Sequence, residues 1–144
     1  MRSKAKTLVM VVDAQGGGVG RQLISGIRRE LGDVRIVAVG TNSAATAAML
    51  KAGADEAATG ENAVSVVSRQ ADYIIGPVGL VIADAMLGEI TPVMARAIAC
   101  ADAVRIMIPF STCENYIAGV SDFNTAKLIQ DAVLRLKKLL SNES

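Results

Sequence analysis

Residues 7–21 read Thr-Leu-Val-Met-Val-Val-Asp-Ala-Gln-Gly-Gly-Gly-Val-Gly-Arg, and this stretch decides the class of fold. Residues 7–12 form a continuous β-branched and aliphatic run, which is typical of a parallel strand covered on both faces. Residues 16–18 are all glycine and interrupt the run. Apolar residues then recur at helical spacing over residues 19–31. The stretch therefore predicts a strand, a glycine loop and a helix in succession.

The same succession continues along the sequence. Apolar runs predict further strands at residues 34–39, 55–58, 74–76 and 105–109, with a short sixth strand as an option at 116–120. Helical spacing and caps predict further helices at residues 44–52, 61–70, 80–87, from 91 onward and 126–140. This alternation favours a Rossmann-like α/β fold, in which a mostly parallel sheet of five or six strands carries helices on both faces in three layers.

The composition predicts one soluble domain and excludes several partners. The chain has 144 residues, of which 51% are hydrophobic, enough for a single Rossmann-like domain over residues 1–144. The net charge is +1, and no basic cluster could follow a phosphodiester backbone. The longest uncharged stretch, residues 73–83, is far shorter than the roughly 18 residues of a membrane span. We therefore expect a cytoplasmic protein that binds neither nucleic acid nor membrane.

The sequence contains no histidine, which excludes several common catalytic mechanisms. Zinc sites that use histidine and Ser-His or Cys-His nucleophile pairs are excluded. The two cysteines, Cys100 and Cys113, are too far apart for a Cys-x-x-Cys site. Cys113 has no adjacent histidine or lysine that could activate it, so an idle cysteine is favoured over a nucleophile. We expect no metal site.

The predicted loops at the carboxyl ends of the strands are the candidate ligand site. In a sheet of this kind the ligand lies beyond those ends, where the strand order reverses. The first loop has four glycines in five residues, Gly16, Gly17, Gly18 and Gly20, which is more than a tight turn requires. Glycine lets the backbone approach a ligand, and the helix amides and dipole behind the loop favour an anion. A phosphate-bearing ligand is predicted here, and a turn without a ligand is the alternative.

This loop resembles the cofactor-binding loop of the short-chain dehydrogenases and reductases, Thr-Gly-x-x-x-Gly-x-Gly. Four positions match that spacing, with the first two family residues replaced: Asp13, Ala14, Gly18 and Gly20. The resemblance implies a pyrophosphate near residues 15–19. Neither Tyr73 nor Tyr116 has a lysine four residues later, so the catalytic Tyr-x-x-x-Lys pair of that family is missing and its chemistry is not implied.

The residue that usually recognises the adenosine ribose is also missing. A dinucleotide site usually reads its adenosine ribose with an acid near the end of the second strand, or accommodates a 2′-phosphate with an arginine. Thr41, Asn42 and Ser43 stand there instead, and they can either bond a ribose or phosphate or cap the next helix. An NADP-type ligand, with Arg21 or Ser43 near its extra phosphate, is the first candidate, and another nucleotide is the alternative.

A second glycine turn is predicted opposite the first. Residues 76–79 read Gly-Pro-Val-Gly and would face the glycine loop across the sheet, where the other half of the ligand could lie. A rigid turn into a buried helix explains them as well. The full set of candidate ligand-binding residues is Asp13, Gln15, Gly16, Gly17, Gly18, Val19, Gly20, Arg21, Thr41, Asn42, Ser43, Gly76, Pro77 and Gly79.

Four stretches together resemble a bacterial family of small Rossmann-like domains of unknown function. They are the loop at residues 13–21, Gly-Thr-Asn-Ser-Ala-Ala-Thr at 40–46, Ala-Thr-Gly-Glu-Asn-Ala at 58–63 and Ile-Gly-Pro-Val-Gly at 75–79. The resemblance covers nearly the whole chain. It implies a one-domain bacterial protein and carries no activity, substrate or catalytic residue.

Three functions remain open from the sequence. The first is a protein that binds a nucleotide or another phosphate-bearing ligand. The second is an enzyme acting on a small phosphorylated substrate, which requires at least two of five acids in one pocket: Asp13, Glu61, Asp84, Glu89 and Glu114. The third is a homo-oligomeric sensor or scaffold without catalysis, suggested by the apolar helix at residues 80–87 and by alanine-rich surfaces at 44–48 and 95–101.

Overall fold

The computed structural model describes residues 6–109, 115–121 and 123–142, and its centre is one parallel β-sheet. The strands are β1 (Leu8–Asp13), β2 (Arg35–Gly40), β3 (Glu56–Thr59), β4 (Tyr73–Pro77) and β5 (Val104–Ile108). The helices are α1 (Gly18–Glu30), α2 (Ser43–Lys51), α3 (Glu61–Gln70), α4 (Pro92–Ala99) and α5 (Thr125–Ser141). The five strands lie in the order β3-β2-β1-β4-β5. The predicted Rossmann-like α/β fold is therefore confirmed.

Strand β1 is buried along its whole length because helices cover both of its faces. Val9 and Val11 pack on one side with residues of α1, α2 and α5. Met10 and Val12 pack on the other side with residues of α3 and α4. Successive side chains of a strand point to opposite faces, so a central strand between two helical layers is apolar at every position. This explains the unbroken apolar run in the sequence. In the part of the chain that is described, no helix has the length and apolar character needed to cross a membrane.

The position of β1 creates the point where the strand order reverses. Val11 of β1 pairs with Ala38 of β2 on one side and with Ile75 of β4 on the other. The chain moves outward from β1 to β2 and β3, and then returns through α3 to β4 on the far side of β1. The connections that leave β1 and β4 therefore diverge above the sheet, which is where such folds hold their ligands.

The prediction of a helix at residues 80–87 is wrong. A short 3₁₀ turn at Val78–Val81 is followed by turns, and Asp84, Met86 and Leu87 have left-handed backbone with φ of 65°, 58° and 59°. The segment folds back on itself instead, since the amide of Asp84 donates to the carbonyl of Ile90 at 2.7 Å. Consecutive left-handed residues cannot continue a right-handed helix. Asp84, expected within a buried helix, is exposed.

The optional sixth strand at residues 116–120 does not form. Those residues pair with no strand, and the amide of Val120 donates to the carbonyl of Ile117 at 3.3 Å to close a turn. Gly119 has a φ of 87°, which a strand does not accommodate. The sheet formed by the described residues has five strands.

Gly76 lets β1 and β4 lie at their observed separation, and its replacement tests the junction. A Cβ atom there would lie 2.5 Å from the carbonyl oxygen of Val12, a backbone atom that cannot move without shifting β1. We expect Gly76→Ala to lower the free energy of unfolding by about 2 kcal/mol, as overpacking does. Gly32→Ala is the matched control, because a Cβ at Gly32 would have no atom within 4 Å. Urea denaturation of both variants measures the difference, and equal stabilities would show that the packing of β1 against β4 does not require Gly76.

Candidate functional site

The glycine loop joins β1 to α1 in a tight turn that packs against α2. The amide of Gly17 donates to the carbonyl of Ala14 at 3.0 Å, and Gly17 has a φ of 74°. A Cβ at Gly17 would lie 2.8 Å from the Cα of Ala45, and a Cβ at Gly20 would lie 2.5 Å from the Sδ of Met49. The fold itself therefore requires glycine at positions 17 and 20.

Gly16 and Gly18 differ from these two glycines. A Cβ at either position would have no heavy atom within 4 Å, and neither residue has left-handed backbone. Among the residues that the structure describes, no acceptor receives a hydrogen bond from either amide. Glycine lowers backbone stability relative to alanine by roughly 0.5–1 kcal/mol in regular structure. Neither packing nor backbone conformation explains why positions 16 and 18 are glycine. Glycine at these two positions leaves the backbone accessible.

The carboxylate of Asp13 fills the inner part of the loop. It accepts hydrogen bonds from the amide of Ala14 at 2.8 Å and from the amide of Gly20 at 2.7 Å, and the residue is only 5% exposed. Burial raises the pKa of Asp13, while its bonds from Gly20, Ala14 and Val19 oppose that rise. The positive end of α1 therefore already contacts an anionic side chain from within the protein.

A second carboxylate, that of Glu89, lies over the outer part of the loop. Its Oε1 accepts from the amide of Gln15 at 2.9 Å, the hydroxyl of Thr41 at 2.7 Å and the Nδ2 of Asn42 at 2.9 Å. Burial opposes ionisation of Glu89, but these three bonds lower its pKa overall. Glu89 thus ties the connection after β4 to the loops after β1 and β2.

Asn42 is held in one orientation by this arrangement. Its Oδ1 accepts from the amide of Ala45 at 2.9 Å and caps α2, while its Nδ2 donates to Glu89 and to the carbonyl of Gln15. Asn42 therefore caps α2, which is one of the two roles that the sequence predicted for residues 41–43. Thr41 and Asn42, which the sequence suggested as direct readers of a ribose, both donate to Glu89.

A crevice of about 680 Å³ lies between the glycine loop and the connection that follows β4. This volume is in the usual range for small-molecule sites. The described residues that line it include no lysine or arginine. They are Asp13, Ala14, Gln15, Val19, Pro77, Val78, Gly79, Ile82, Ala83, Asp84, Ala85, Met86, Leu87 and Asn115. The walls are mainly apolar, with polar groups at Asp13, Gln15, Asp84 and Asn115.

The remaining candidate residues lie elsewhere. Arg21 is exposed and lines a separate groove of about 430 Å³ between α1 and α5. Ser43 is exposed at the first position of α2, and Gly76 is buried inside β4. Residues 110–114, which include Cys113, lie outside the described residues.

Three of the five candidate acids lie in or beside the crevice. Asp13 and Asp84 line the same crevice, and Glu89 bonds the loop at its edge. Glu61 is exposed at the start of α3, and Glu114 lies outside the described residues. Among the residues that the structure describes, no group of three or more acidic or cysteine side chains is arranged to hold a metal ion.

The structure weakens the observations from which the sequence suggested self-association. The helix at residues 80–87 is not formed, and Ala45 and Ala95 of the alanine-rich surfaces are buried in the core of the chain. Leu87 is fully exposed. Association into a homo-oligomer stays a prediction.

The apolar wall formed by Ile82, Met86 and Leu87 was missed by the sequence reasoning, as was the contact of Glu89 with the first loop. The wall was hidden because an apolar run near a glycine turn also fits a buried helix. Gly88, which follows the run, was the available signal for a turn. Glu89 is 48 residues from Thr41 in sequence, and nothing local indicates that they meet.

The fold and the loop define a Rossmann-like α/β protein with a ligand-sized crevice at the reversal of its strand order. The chain belongs to the family described as Domain of unknown function (DUF3842), whose profile matches residues 8–141. A search of curated proteins found no significant match. Among solved structures, a dodecameric FMN-dependent UbiX-like decarboxylase from Escherichia coli O157:H7 is similar at 16% identity and a TM-score of 0.40. That match covers 92% of this chain and 75% of the other, and a likeness of this degree carries no information about ligand or activity.

The division of the glycines into two classes can be tested by stability. Gly17→Ala should lower the free energy of unfolding by about 2 kcal/mol or more, because it combines left-handed backbone with a clash against α2. Gly18→Ala should change it by less than about 0.5 kcal/mol. Chemical denaturation measures both. A loss at position 18 as large as that at position 17 would show that all the glycines serve packing.

The contact of Glu89 should make stability depend on pH. The folded-state pKa of Glu89 is lowered, so its stabilising effect is present above the unfolded value of 4.5 and is lost as pH falls through the folded value. We expect Glu89→Ala to cost about 1 kcal/mol at pH 7 and progressively less below pH 4.5. Glu89→Gln, which keeps an acceptor oxygen but does not titrate, is the control. A deficit of Glu89→Ala that is constant between pH 3 and pH 7 would argue against a role for the charge.

Proposed function

We propose that this protein binds a nucleotide in the crevice between the glycine loop and the connection after β4. The observation that carries the proposal is a ligand-sized crevice lined by Gln15 and Val19 of the glycine loop. Between these two residues in sequence stand Gly16 and Gly18, two glycines that the fold does not require. The crevice lies beyond the carboxyl ends of β1 and β4, where proteins of this architecture bind nucleotides.

The phosphates would bond the amides of Gly16 and Gly18. These amides lie at the start of α1, and neither has an acceptor among the described residues. The absence of side chains leaves room for phosphate oxygens to approach the backbone closely. Asp13 already takes the deeper amides and is itself negative, which weakens the attraction for an anion. Inorganic phosphate alone should therefore bind poorly.

The apolar part of the crevice would supply most of the affinity. Val19 on the loop side and Ile82 and Met86 on the opposite side present hydrocarbon to the space between them. Pro77 and Gly79 line the crevice beside β4. A planar ring placed there removes apolar surface from water, worth roughly 25 cal/mol per Å² buried. A nucleotide combines such a ring with phosphates and matches both parts of the crevice.

Catalysis on a small phosphorylated substrate is the second candidate. Its requirement was at least two of the candidate acids in one pocket, and Asp13 and Asp84 line the same crevice. Burial raises the pKa of Asp13, which suits an acid or base more than an unperturbed carboxylate does. Turnover of a bound nucleotide or sugar phosphate, followed by phosphorus NMR and lost in Asp84→Asn, would favour this candidate.

Ligand binding can be tested by calorimetry and thermal shift with NAD, NADP, ATP, FMN and coenzyme A. A real ligand at one hundred times its Kd should stabilise the fold by about 2.7 kcal/mol. Gly16→Ala and Gly18→Ala should weaken binding by about tenfold or more, since a methyl group would stand where phosphate lies. Gly32→Ala, remote from the crevice, should bind as the wild type does.

Two results would overturn this proposal. One is the absence of any stabilisation by these compounds at millimolar concentration. The other is binding that is unchanged in a double Gly16→Ala, Gly18→Ala variant, which would place the ligand elsewhere. Sodium pyrophosphate serves as the additional control, and we expect it to give little stabilisation on its own.

A further inference from the structure

Glu89 occupies the place where an acid at the end of the second strand would read a ribose. In dinucleotide-binding folds that acid belongs to the strand itself or to the residue after it. Here β2 ends at Gly40 and continues with Thr41 and Asn42, neither of which is acidic. The carboxylate of Glu89 instead arrives from the connection after β4 and bonds both residues. An acid is present beyond β2, although it comes from another part of the chain.

The two oxygens of Glu89 have different surroundings. Oε1 accepts all three of the bonds from Gln15, Thr41 and Asn42. Oε2 receives no hydrogen bond from any residue that the structure describes, and the side chain is only partly buried. The three bonds fix the carboxylate in place, and a fixed carboxylate with one open oxygen can accept from the vicinal hydroxyls of a ribose.

The surrounding charges disfavour an additional phosphate at the same place. The described crevice lining contains Asp13 and Asp84 and no basic side chain. Arg21, the residue expected beside a 2′-phosphate, lines the groove between α1 and α5 instead. A 2′-phosphate next to Glu89 would meet a like charge, and the described lining of the crevice offers no lysine or arginine to offset it.

We infer that Glu89 is a specificity-determining residue that selects a ribonucleotide with free 2′- and 3′-hydroxyls and rejects one with a 2′-phosphate. The inference rests on the proposed nucleotide-binding function. It replaces the NADP-type ligand suggested by the sequence with a ligand of the NAD or ADP type.

Two pairs of ligands test the inference because the members of each pair differ at one position only. NAD and NADP differ by the 2′-phosphate, and ADP and 2′-deoxy-ADP differ by the 2′-hydroxyl. In the wild type we expect NAD to bind at least about tenfold more tightly than NADP, since an unpaired like charge is costly. We expect ADP to bind at least about tenfold more tightly than its deoxy analogue, the value of one hydrogen bond to a charged group.

Glu89→Gln should reduce the preference for NAD over NADP to about threefold or less, because the amide keeps the shape but not the charge. Glu61→Gln removes an exposed acid that does not line the crevice and should keep the wild-type preferences. Thermal melts verify that both variants fold. The wild-type ligand pairs remain informative even if Glu89→Gln does not fold.

The outcomes separate this inference from the function on which it rests. If no nucleotide binds the wild type, the proposed function fails and the inference fails with it. If nucleotides bind but each pair binds equally, Glu89 does not read the ribose, while nucleotide binding stands. Equal preferences in the wild type and Glu89→Gln, or binding of FMN alone, which has no ribose ring, would also overturn the inference.

Discussion

The hydrogen bonds of the buried Asp13 carboxylate are the interaction on which the site depends. Asp13 ends β1, and its two oxygens accept from the amides of Ala14 and Gly20, on either side of the glycine loop. A buried carboxylate is costly unless it is bonded in this way. The bonds fix the direction in which α1 leaves the sheet, and Gly20 can then approach Met49 of α2. The same arrangement leaves the amides of Gly16 and Gly18 without a hydrogen-bond acceptor among the described residues.

The connection after β4 is the second fixed part of the site. Asp84, Met86 and Leu87 are in left-handed backbone, which costs of order 1 kcal/mol or more for each non-glycine residue. The hairpin-like bond from Asp84 to Ile90 and the contact of Glu89 with the first loop hold this conformation. Strained residues of this kind tend to lie at ligand sites, since a relaxed helix would serve as well for structure alone. Both walls of the crevice are therefore anchored by carboxylates of the protein itself.

The sequence predicted the parts of the structure that depend on local pattern. The apolar run before Asp13, the glycines after it and the caps at Asn42 and Thr91 gave nearly correct strand and helix positions. The fold class followed from the order of these elements, and so did the expectation of a site at the carboxyl ends of the strands. The predicted helix at residues 80–87 failed because apolar content without a polar face does not distinguish a helix from an irregular connection.

The site was only partly predictable for a different reason. Glycines in a loop look alike in sequence, but Gly17 and Gly20 meet Ala45 and Met49 of a helix that packs against them only in three dimensions. Likewise, the role of Thr41 depends on Glu89, which reaches it across the glycine loop. Such contacts follow from topology rather than from spacing, because the reversal of strand order brings the connection after β4 over the end of β1.

The connection after β4 contributes both the apolar wall of the crevice and the acid that lies beyond β2. Ile82, Met86 and Leu87 shape the apolar wall, and Glu89, two residues further along, supplies the acid beyond β2. Asp84, Met86 and Leu87 of this connection have left-handed backbone, which restricts the conformations that can join the wall to the acid. One segment of the chain, which follows β4, therefore shapes the crevice and also fixes the loops that follow β1 and β2.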